Sequence, residues 1–433
     1  MGGGGVDGTT VRSVSRRTFG KLVGAAGVGT LGAGALGAVP ASAAVDTWTA
    51  SGTAVSSLSA FDDTMKAFMQ ARHIEAGQLA VTYQGRLVLA RGYGNNSPQY
   101  IQPTSLFRVA SLSKSLTAAA IVRLAQDGKL NLGDPITKFL NLTPPAGQTA
   151  DPRLSQVTLW RLLQHTGGWD RDLTAFDPVF KDRVIANALG VPMELTHADV
   201  IRFMSGQPLM HDPGSTVSYS NYGYLLAGRI IEKVTGLPYE TYVKQELLAP
   251  RGITRMATGW TISRHSGEVG YHSQYTGPTV LDNSGTIVDA PYGTFSMRIH
   301  DANGGWLASA VDLVRWAATF DSGNTVLNST SLGRVFAVPN PTGVNADGWY
   351  YGLGWQVRPV SGGTGRNTWH TGSFAGTYSI MVRTYHGMSW AAVFNQRDDE
   401  SGLSYGAIDS ALWTASRAVT SWPTHNLWST YFG

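Results

Sequence analysis

The stretch RVASLSKSLTAAAIVRL, residues 108–124, places a lysine on the apolar face of a predicted helix. The apolar positions that define this face recur at helical spacing: Ala110, Ala118, Ile121 and Ala125. Lys114 falls on the same face, three residues after Ser111, and side chains at this spacing are neighbours. Burial lowers the pKa of a lysine, and a neutral amine can take the proton of a serine hydroxyl. The pattern therefore predicts a nucleophile, Ser111, and its base, Lys114.

A capping role for Ser111 has to be weighed against this reading. Serine is a common residue at helix starts, and a Ser-x-x-Lys match arises by chance about once in a chain of this length. The choice depends on the motifs elsewhere in the chain. Tyr219-Ser220-Asn221 follows a turn at 212–214 and opens a predicted helix over 221–236. His370-Thr371-Gly372 stands at the start of the predicted C-terminal strands.

The order Ser-x-x-Lys, Tyr-x-Asn, His-Thr-Gly resembles the serine β-lactamase-related family, which includes class C β-lactamases, carboxypeptidase-type DD-peptidases and related esterases. The likeness runs from about residue 57 to the C-terminus. The phrases that carry it are FRVASLSKSLTAAAIVRLAQDGKL, LWRLLQHTGG, PGSTVSYSNYGYLLAGRIIEKVTG, GGWLASAVDLVRW and YGLGW. It implies an exported serine hydrolase that forms an acyl-enzyme and uses no cofactor.

The resemblance implies a role for each motif residue. Ser111 attacks a carbonyl, and Lys114 and Tyr219 form the proton-transfer pair, with Tyr219 partly ionised or relaying a proton. Asn221 holds the substrate amide or the lysine. The oxyanion lies between the backbone N–H groups of Ser111 and Ser373.

His370, with Thr371, Gly372 and Ser373, is expected to line the substrate-binding strand. Class C β-lactamases have a lysine at the position of His370, where its charge faces the substrate carboxylate. A histidine is mostly neutral at pH 7, so it makes a weaker anion site unless a neighbour raises its pKa. The histidine at position 370 makes β-lactam hydrolysis a weaker expectation. It favours the branches of the family that carry His-Thr-Gly.

Three functions stay open at this point. The first is a D-Ala-D-Ala carboxypeptidase-like peptidase or a carboxylic ester hydrolase acting on a small-molecule or peptide substrate. The second is a class C-like β-lactamase, and the third is a non-catalytic penicillin-binding module. Aromatic residues between 250 and 300 would suit an apolar acyl or alcohol group, or serve only as core and surface residues: Trp260, Tyr271, Tyr275, Tyr292 and Phe295.

Hydrophobic patterning predicts strands near both ends of the chain and helices between them. Residues 77–94 read as a β-hairpin, and residues 351–360, 375–385 and 389–396 as strands. We therefore expect an α+β fold in which both terminal segments form one antiparallel sheet, flanked by helices, with a mainly helical insertion. The hydrolase domain is expected over 57–433. Its α/β part covers about 57–105 and 350–433, and its helical part about 106–349.

The N-terminal segment reads as a targeting signal. SRRTFGK (15–21) matches a twin-arginine pattern, an apolar run follows, and small residues precede a cleavage site expected after Ala43. Residues 44–56 are expected to be a linker. The product would be extracytoplasmic and have no membrane span.

Charge and composition limit the kinds of partner that the protein can bind. The chain has a net charge of +4, and the 1–43 segment, with four basic residues and one acidic residue, accounts for +3 of it. No basic surface for nucleic acid is expected in the remainder. The chain has no cysteine, so disulfides are excluded. The sequence leaves the oligomeric state open.

Several further motif matches are predicted to be structural. Tyr93-Gly94-Asn95 ends a predicted strand, and His165-Thr166-Gly167 closes a predicted helix beside the site. Ser404 lies in a Gly-x-Ser-x-Gly match that lacks the strand which a nucleophile elbow needs. The histidines show no metal-ligand spacing, so no metal is expected.

Overall fold

The computed structural model describes residues 48–95, 101–360, 362–363 and 365–433. The expected signal peptide and the first four residues of the expected linker, 44–47, lie outside these residues. The strands are β1 (Thr49–Ser51), β2 (Ala76–Tyr83), β3 (Arg86–Gly94), β4 (Phe107–Arg108), β5 (Ala257–Thr258), β6 (Thr276–Pro278), β7 (Ile287–Asp289), β8 (Trp306–Ala308), β9 (Tyr350–Tyr351), β10 (Gln356–Pro359), β11 (Arg366–Phe374), β12 (Thr377–Arg383) and β13 (Met388–Phe394).

The helices are α1 (Ser59–Gln70), α2 (Ser113–Gln126), α3 (Leu159–Leu163), α4 (Arg171–Thr174), α5 (Asp182–Leu189), α6 (His197–Ser205), α7 (Asn221–Thr235), α8 (Tyr239–Val243), α9 (Ala310–Ala317), α10 (Ser329–Val335), α11 (Ala407–Ala418) and α12 (Trp428–Tyr431). In the described ranges, no helix combines the length and apolarity that a bilayer crossing requires.

An eight-stranded antiparallel sheet organises the fold, in the order β1-β3-β2-β13-β12-β11-β10-β9. β2 pairs directly with β13, with Ala80 opposite Ala391, so early and late segments of the chain share one sheet. Because side chains alternate along a strand, Leu79 and Trp390 face the side covered by α1 and α11. Ala80 and Ala391 face the opposite side, which packs on α9. The α+β fold expected from the sequence is confirmed.

Two strands differ from the expectation. Residues 49–51 lie in the expected linker but form β1, whose Thr49 pairs with Gly94 at the sheet edge. Three residues are too few to show an alternating pattern. His370-Thr371-Gly372 does not begin a strand but lies in the second half of the nine-residue β11, between β10 and β12.

Helix α2 lies in the middle of the molecule. Eleven of its fourteen residues are buried, so the single apolar face predicted from the spacing is too narrow. A helix surrounded on all sides needs short side chains, and α2 supplies them with the run Ala118-Ala119-Ala120. Lys114 is the exception in length and charge, and it is fully buried.

Candidate active site

A strained turn presents Ser111 in front of α2. Ala110 has a φ of +45°, a left-handed conformation that is uncommon outside glycine. The 3-10 turn Ala110–Leu112 follows, and it leaves Ser111 half-buried. Ser113 Oγ donates to the Ala110 carbonyl at 2.7 Å and accepts from the Trp306 N–H at 3.2 Å. These hydrogen bonds stabilise the turn that orients Ser111.

Lys114 Nζ makes three polar contacts inside the protein. It lies 3.0 Å from Ser111 Oγ, 2.7 Å from Asn221 Oδ1 and 2.7 Å from the carbonyl oxygen of Asn303. The last two groups can only accept hydrogen bonds. The structure thus brings together the residues of the first two motifs, Ser111, Lys114 and Asn221.

The surroundings of Lys114 favour its neutral form. Burial is the main reason that its pKa lies well below the ordinary value, and the cation of Arg171 adds to this effect while Asp177 opposes it. A neutral amine has two hydrogens and one lone pair. Because Asn221 Oδ1 and the Asn303 carbonyl take the hydrogens, the lone pair is left for the hydroxyl of Ser111.

The orientation of Asn221 is fixed by a residue outside the motifs. Its Nδ2 donates to Asp177 Oδ2 at 2.7 Å, which leaves Oδ1 for Lys114. The same carboxylate accepts from Arg171 Nη1 at 2.9 Å. Asn221 is the first residue of α7, where the Ser220 side chain caps the helix by accepting from the Gly223 N–H at 3.1 Å.

The ring of Tyr219 lies beside the side chains of Lys114 and Arg171. Its ring centroid lies 4.8 Å from Lys114 Nζ and 4.8 Å from Arg171 Cζ. Burial raises the pKa of Tyr219, although a hydrogen bond with Ser111 and the charge of Arg171 act in the opposite direction. The phenol is therefore protonated at neutral pH. Of the two roles expected for Tyr219, the raised pKa speaks against partial ionisation and favours the proton relay.

Strand β11 packs against the nucleophile turn through Gly372. A Cβ added to this glycine would lie 3.1 Å from the backbone nitrogen of Ser111 and closer still to the carbonyl of Val109. Only glycine lets the two backbones approach so closely. Next to it, Thr371 is half-buried and Ser373 is exposed. The strand thus reaches the place where an oxyanion bound by the N–H groups of Ser111 and Ser373 would lie.

His370 faces protein groups with both ring nitrogens. Nδ1 lies 2.6 Å from the Thr371 carbonyl, so this nitrogen carries the hydrogen. Nε2 then accepts from the Tyr351 hydroxyl at 2.9 Å. Burial and the neighbouring Lys114 lower the pKa of His370 to about 3. The ring is therefore neutral at pH 7, which is the state that makes it a weaker anion site than a lysine.

The motif matches set aside on sequence grounds have distinct positions. Tyr93 Oη donates to Asp62 Oδ1 at 2.5 Å, and Ser404 lies in the turn before α11, where its carbonyl accepts from Arg72. His165 is different, because its ring contacts Tyr219 at a centroid distance of 4.3 Å.

The aromatic residues between 250 and 300 divide into two groups. Tyr271 and Tyr292 support the backbone: Tyr271 Oη accepts from the Arg108 N–H, and Tyr292 Oη accepts from the Tyr271 N–H, each at 2.8 Å. Trp260 and Tyr275 are about half-exposed. Phe295 packs on Ala110, Met297 and Phe374 beside the nucleophile turn. Within the described part of the chain, no group of three or more His, Cys, Asp or Glu side chains is placed to hold a metal ion.

Four contributors to the site were not identified from the sequence. Asn303 supplies only a backbone carbonyl, which no side-chain pattern can reveal. Arg171 and Asp177 lie on a segment without a recognisable motif, and Tyr351 meets His370 through the pairing of β9 with β10 and of β10 with β11.

Comparison with known proteins places the chain among its relatives. Protein flp of Staphylococcus aureus (strain N315) is 30% identical over 227 residues, which are 52% of this chain and 43% of that protein. The match therefore spans less than half the length of this curated relative. The crystal structure of D-amino acid amidase from Ochrobactrum anthropi SV3 with L-phenylalanine amide matches with a TM-score of 0.63 and 22% identity, over 84% of this chain and 99% of that chain.

A penicillin-binding protein homologue from Pyrococcus abyssi, described as octameric, matches with a TM-score of 0.60 and 24% identity, over 86% of this chain and 80% of that chain. These likenesses show the fold. The family model named Beta-lactamase matches residues 61–411, most of the chain. The chain therefore belongs to the Beta-lactamase family.

Proposed function

We propose that this protein hydrolyses small carboxylic esters or amides whose leaving group carries no carboxylate. Ser111 attacks the carbonyl carbon while its proton passes to Lys114 Nζ. The negative oxygen that forms is stabilised by the N–H groups of Ser111 and Ser373. When the tetrahedral intermediate collapses, the bond to the leaving group breaks and Tyr219 relays a proton to that group. Water then cleaves the acyl-enzyme by the reverse sequence of proton transfers.

The observation that carries the choice of substrate is the state of His370. A carboxypeptidase or a β-lactamase has to hold a carboxylate on the leaving side of its substrate. Here the β11 position that would supply a charge bears a buried neutral imidazole, with Tyr351 and the Thr371 carbonyl on its two nitrogens. The nearby cation Arg171 is already paired with Asp177 at 2.9 Å. These contacts favour the ester branch of the alternatives over the D-Ala-D-Ala carboxypeptidase and the β-lactamase.

An amide substrate has independent support. The D-amino acid amidase that shares this fold was solved with L-phenylalanine amide, whose leaving group would be ammonia, and also with D-phenylalanine. The apolar side chains of Phe295 and Phe374 beside the turn that carries Ser111 suit an uncharged substrate. Export by the twin-arginine route, with cleavage after Ala43, remains part of the proposal and is tested by N-terminal sequencing of protein recovered outside the cell.

A matched pair of substrates tests the leaving-group preference. The thioester of one acyl group with mercaptoacetate carries a carboxylate, and the thioester with mercaptoacetamide does not. We expect kcat/KM at pH 7 to be at least about tenfold higher for the neutral thioester. Ser111→Ala should abolish turnover of both, and Lys114→Ala should lower it by about 100-fold or more. A preference for the carboxylate thioester, or fast hydrolysis of a chromogenic cephalosporin, would contradict the proposal.

A further inference from the structure

His165 is tied to the chain on both sides of Tyr219. Its carbonyl oxygen accepts from the Ser218 N–H at 2.8 Å, and its Nδ1 accepts from the Ser220 N–H at 3.1 Å. One residue thus holds the backbone immediately before and after the tyrosine. His165 itself has a φ of +60°, a left-handed conformation at the end of α3 that lets its carbonyl and its ring face the same segment.

The residues after His165 continue the same contact. The Thr166 carbonyl accepts from the Gly214 N–H at 2.7 Å, and the Gly168 carbonyl accepts from the N–H groups of Met210 and His211 at 2.9 and 3.1 Å. The segment 165–168 therefore holds residues 210–218, which lead to Tyr219, through backbone hydrogen bonds.

The imidazole also packs against two aromatic rings of the site. Its centroid lies 4.3 Å from that of Tyr219 and 4.3 Å from that of Tyr351, and the side chain is buried. Tyr351 is the residue that donates to His370. Tyr219 and Tyr351 also contact each other at a centroid distance of 6.2 Å, so the three rings form one cluster.

The contact to Ser220 fixes the protonation of the ring. An acceptor at Nδ1 has no hydrogen, so the hydrogen is on Nε2, which has no hydrogen-bond partner among the described residues. Burial is the main cause that lowers the pKa of His165 well below its ordinary value, and the neighbouring basic groups of Lys114, His370 and Arg171 act in the same direction. The imidazole therefore keeps its acceptor through the neutral pH range.

We propose that His165 is a positioning residue, whose imidazole sets the distance between the Tyr219 phenol and Ser111 by holding the backbone at Ser220. This inference rests on the proton relay proposed for Tyr219. If the acceptor is removed, the buried Ser220 N–H loses its partner and the segment 218–220 moves to recover one. A displacement of about 1 Å at a proton-transfer group can cost about 100-fold in rate.

Three variants distinguish the role of the His165 Nδ1 acceptor from that of the aromatic ring. His165→Asn keeps an acceptor oxygen at the position of Nδ1, and asparagine tolerates the left-handed backbone. His165→Gln moves the amide one bond further out, and His165→Phe keeps an aromatic ring without an acceptor. His425→Phe is the matched control, because His425 Nε2 meets the Val88 carbonyl of β3 at 2.9 Å and not a residue of the site.

We expect His165→Phe and His165→Gln to lower kcat for a neutral ester by about 30- to 100-fold, with KM changed less than about twofold. His165→Asn should stay within about tenfold of the unmodified protein, and His425→Phe should not change kcat. Phosphonylation of Ser111, followed by mass spectrometry, should slow in the same order. A residue that only packs would lower the melting temperature and leave kcat of the folded protein unchanged.

Equal losses in His165→Asn and His165→Gln, or an unchanged kcat in His165→Phe, would overturn the inference. Should His165→Phe fail to fold, the comparison of the two amide variants decides alone. Failure of the leaving-group proposal is a separate result. It would show as a preference for the carboxylate thioester in the unmodified protein, and the three variants would then be compared on that substrate.

Discussion

Lys114 Nζ donates a 2.7 Å hydrogen bond to Asn221 Oδ1, and the same amide donates from Nδ2 to Asp177 Oδ2 at 2.7 Å. Asn221 therefore stands as a neutral group between a base and a carboxylate. Because the amide of Asn221 is uncharged and lies between the two groups, the carboxylate of Asp177 does not contact the amine directly. This arrangement preserves the lowered pKa of Lys114.

The variant Asn221→Asp should move the acid limb of the kcat/KM profile to higher pH. A carboxylate in contact with Lys114 favours the ammonium form and raises the pKa of the amine, so a higher pH is needed to free its lone pair. We expect a shift of about 1 to 2 pH units. The exposed Asn141→Asp is the charge-matched control. An acid limb that does not move would remove Lys114 from the role of base.

Gly372→Ala should damage both stability and activity. The added methyl would collide with the Val109 carbonyl and force β11 away from Ser111. Overpacking of this kind costs about 1 to 3 kcal/mol of unfolding free energy, and we expect Ser111 labelling to slow by at least about tenfold. Gly333→Ala in α10 has open space around its Cβ and should be neutral or stabilising. Urea unfolding and phosphonate labelling measure the two effects, and equal behaviour of the two variants would contradict the close approach.

His370 should not make carboxylate binding depend on pH between 5 and 8. Its pKa of about 3 keeps the ring neutral over this whole range. The pH dependence of Kd for a carboxylate-bearing phosphonate, measured on Ser111→Ala, should therefore be the same with and without the additional change His370→Asn. Affinity that falls between pH 5 and 8 only when His370 is present would show a charged imidazole.

Asp182→Asn should stabilise the protein at alkaline pH. Asp182 is buried, neither carboxylate oxygen has a hydrogen-bond partner in the described residues, and burial, with Glu194 nearby, raises its pKa from 3.8 to about 7. The folded state holds the proton more tightly than the unfolded state, so the contribution of Asp182 to stability is lost as the pH rises from about 4 to 7.

The shift corresponds to about 4 kcal/mol at most, and relaxation of the site reduces it, so we expect a gain of about 2 kcal/mol at pH 8 and almost none at pH 4. Urea unfolding at both pH values measures it, with the exposed Asp347→Asn as the control. A gain of the same size at both pH values would show that charge is not the cause.

The parts of the fold that the sequence predicted are those with strong local signals. The hairpin 77–94 has two β-rich runs and a Gln84-Gly85 turn, and both turn residues take positive φ. Helix α7 ends, as expected, at Gly236, which is left-handed with φ +71°. Strand β11 was found only in part, because its alternation of buried and exposed residues runs through polar side chains that resemble a loop.

The site was predictable where side chains do the chemistry. Ser111, Lys114, Tyr219 and Asn221 lie together, as the motifs suggested. The depth of burial that sets the protonation states was not predictable, although a neutral Lys114 and a mostly neutral His370 were expected. The buried neutral His370 and the protonated Tyr219 follow from packing between segments that are far apart in the sequence.

The joining of β2 to β13 has a consequence for how the protein matures. Lys114 bonds to partners 107 and 189 positions later in the chain, and the sheet that supports them closes only when the last strand is added. Contacts at such separation form late and slowly during folding. Because β13 (Met388–Phe394) connects β2 to β12, we expect a chain truncated before it to lack a complete sheet, and reactivity toward a phosphonate to report complete folding.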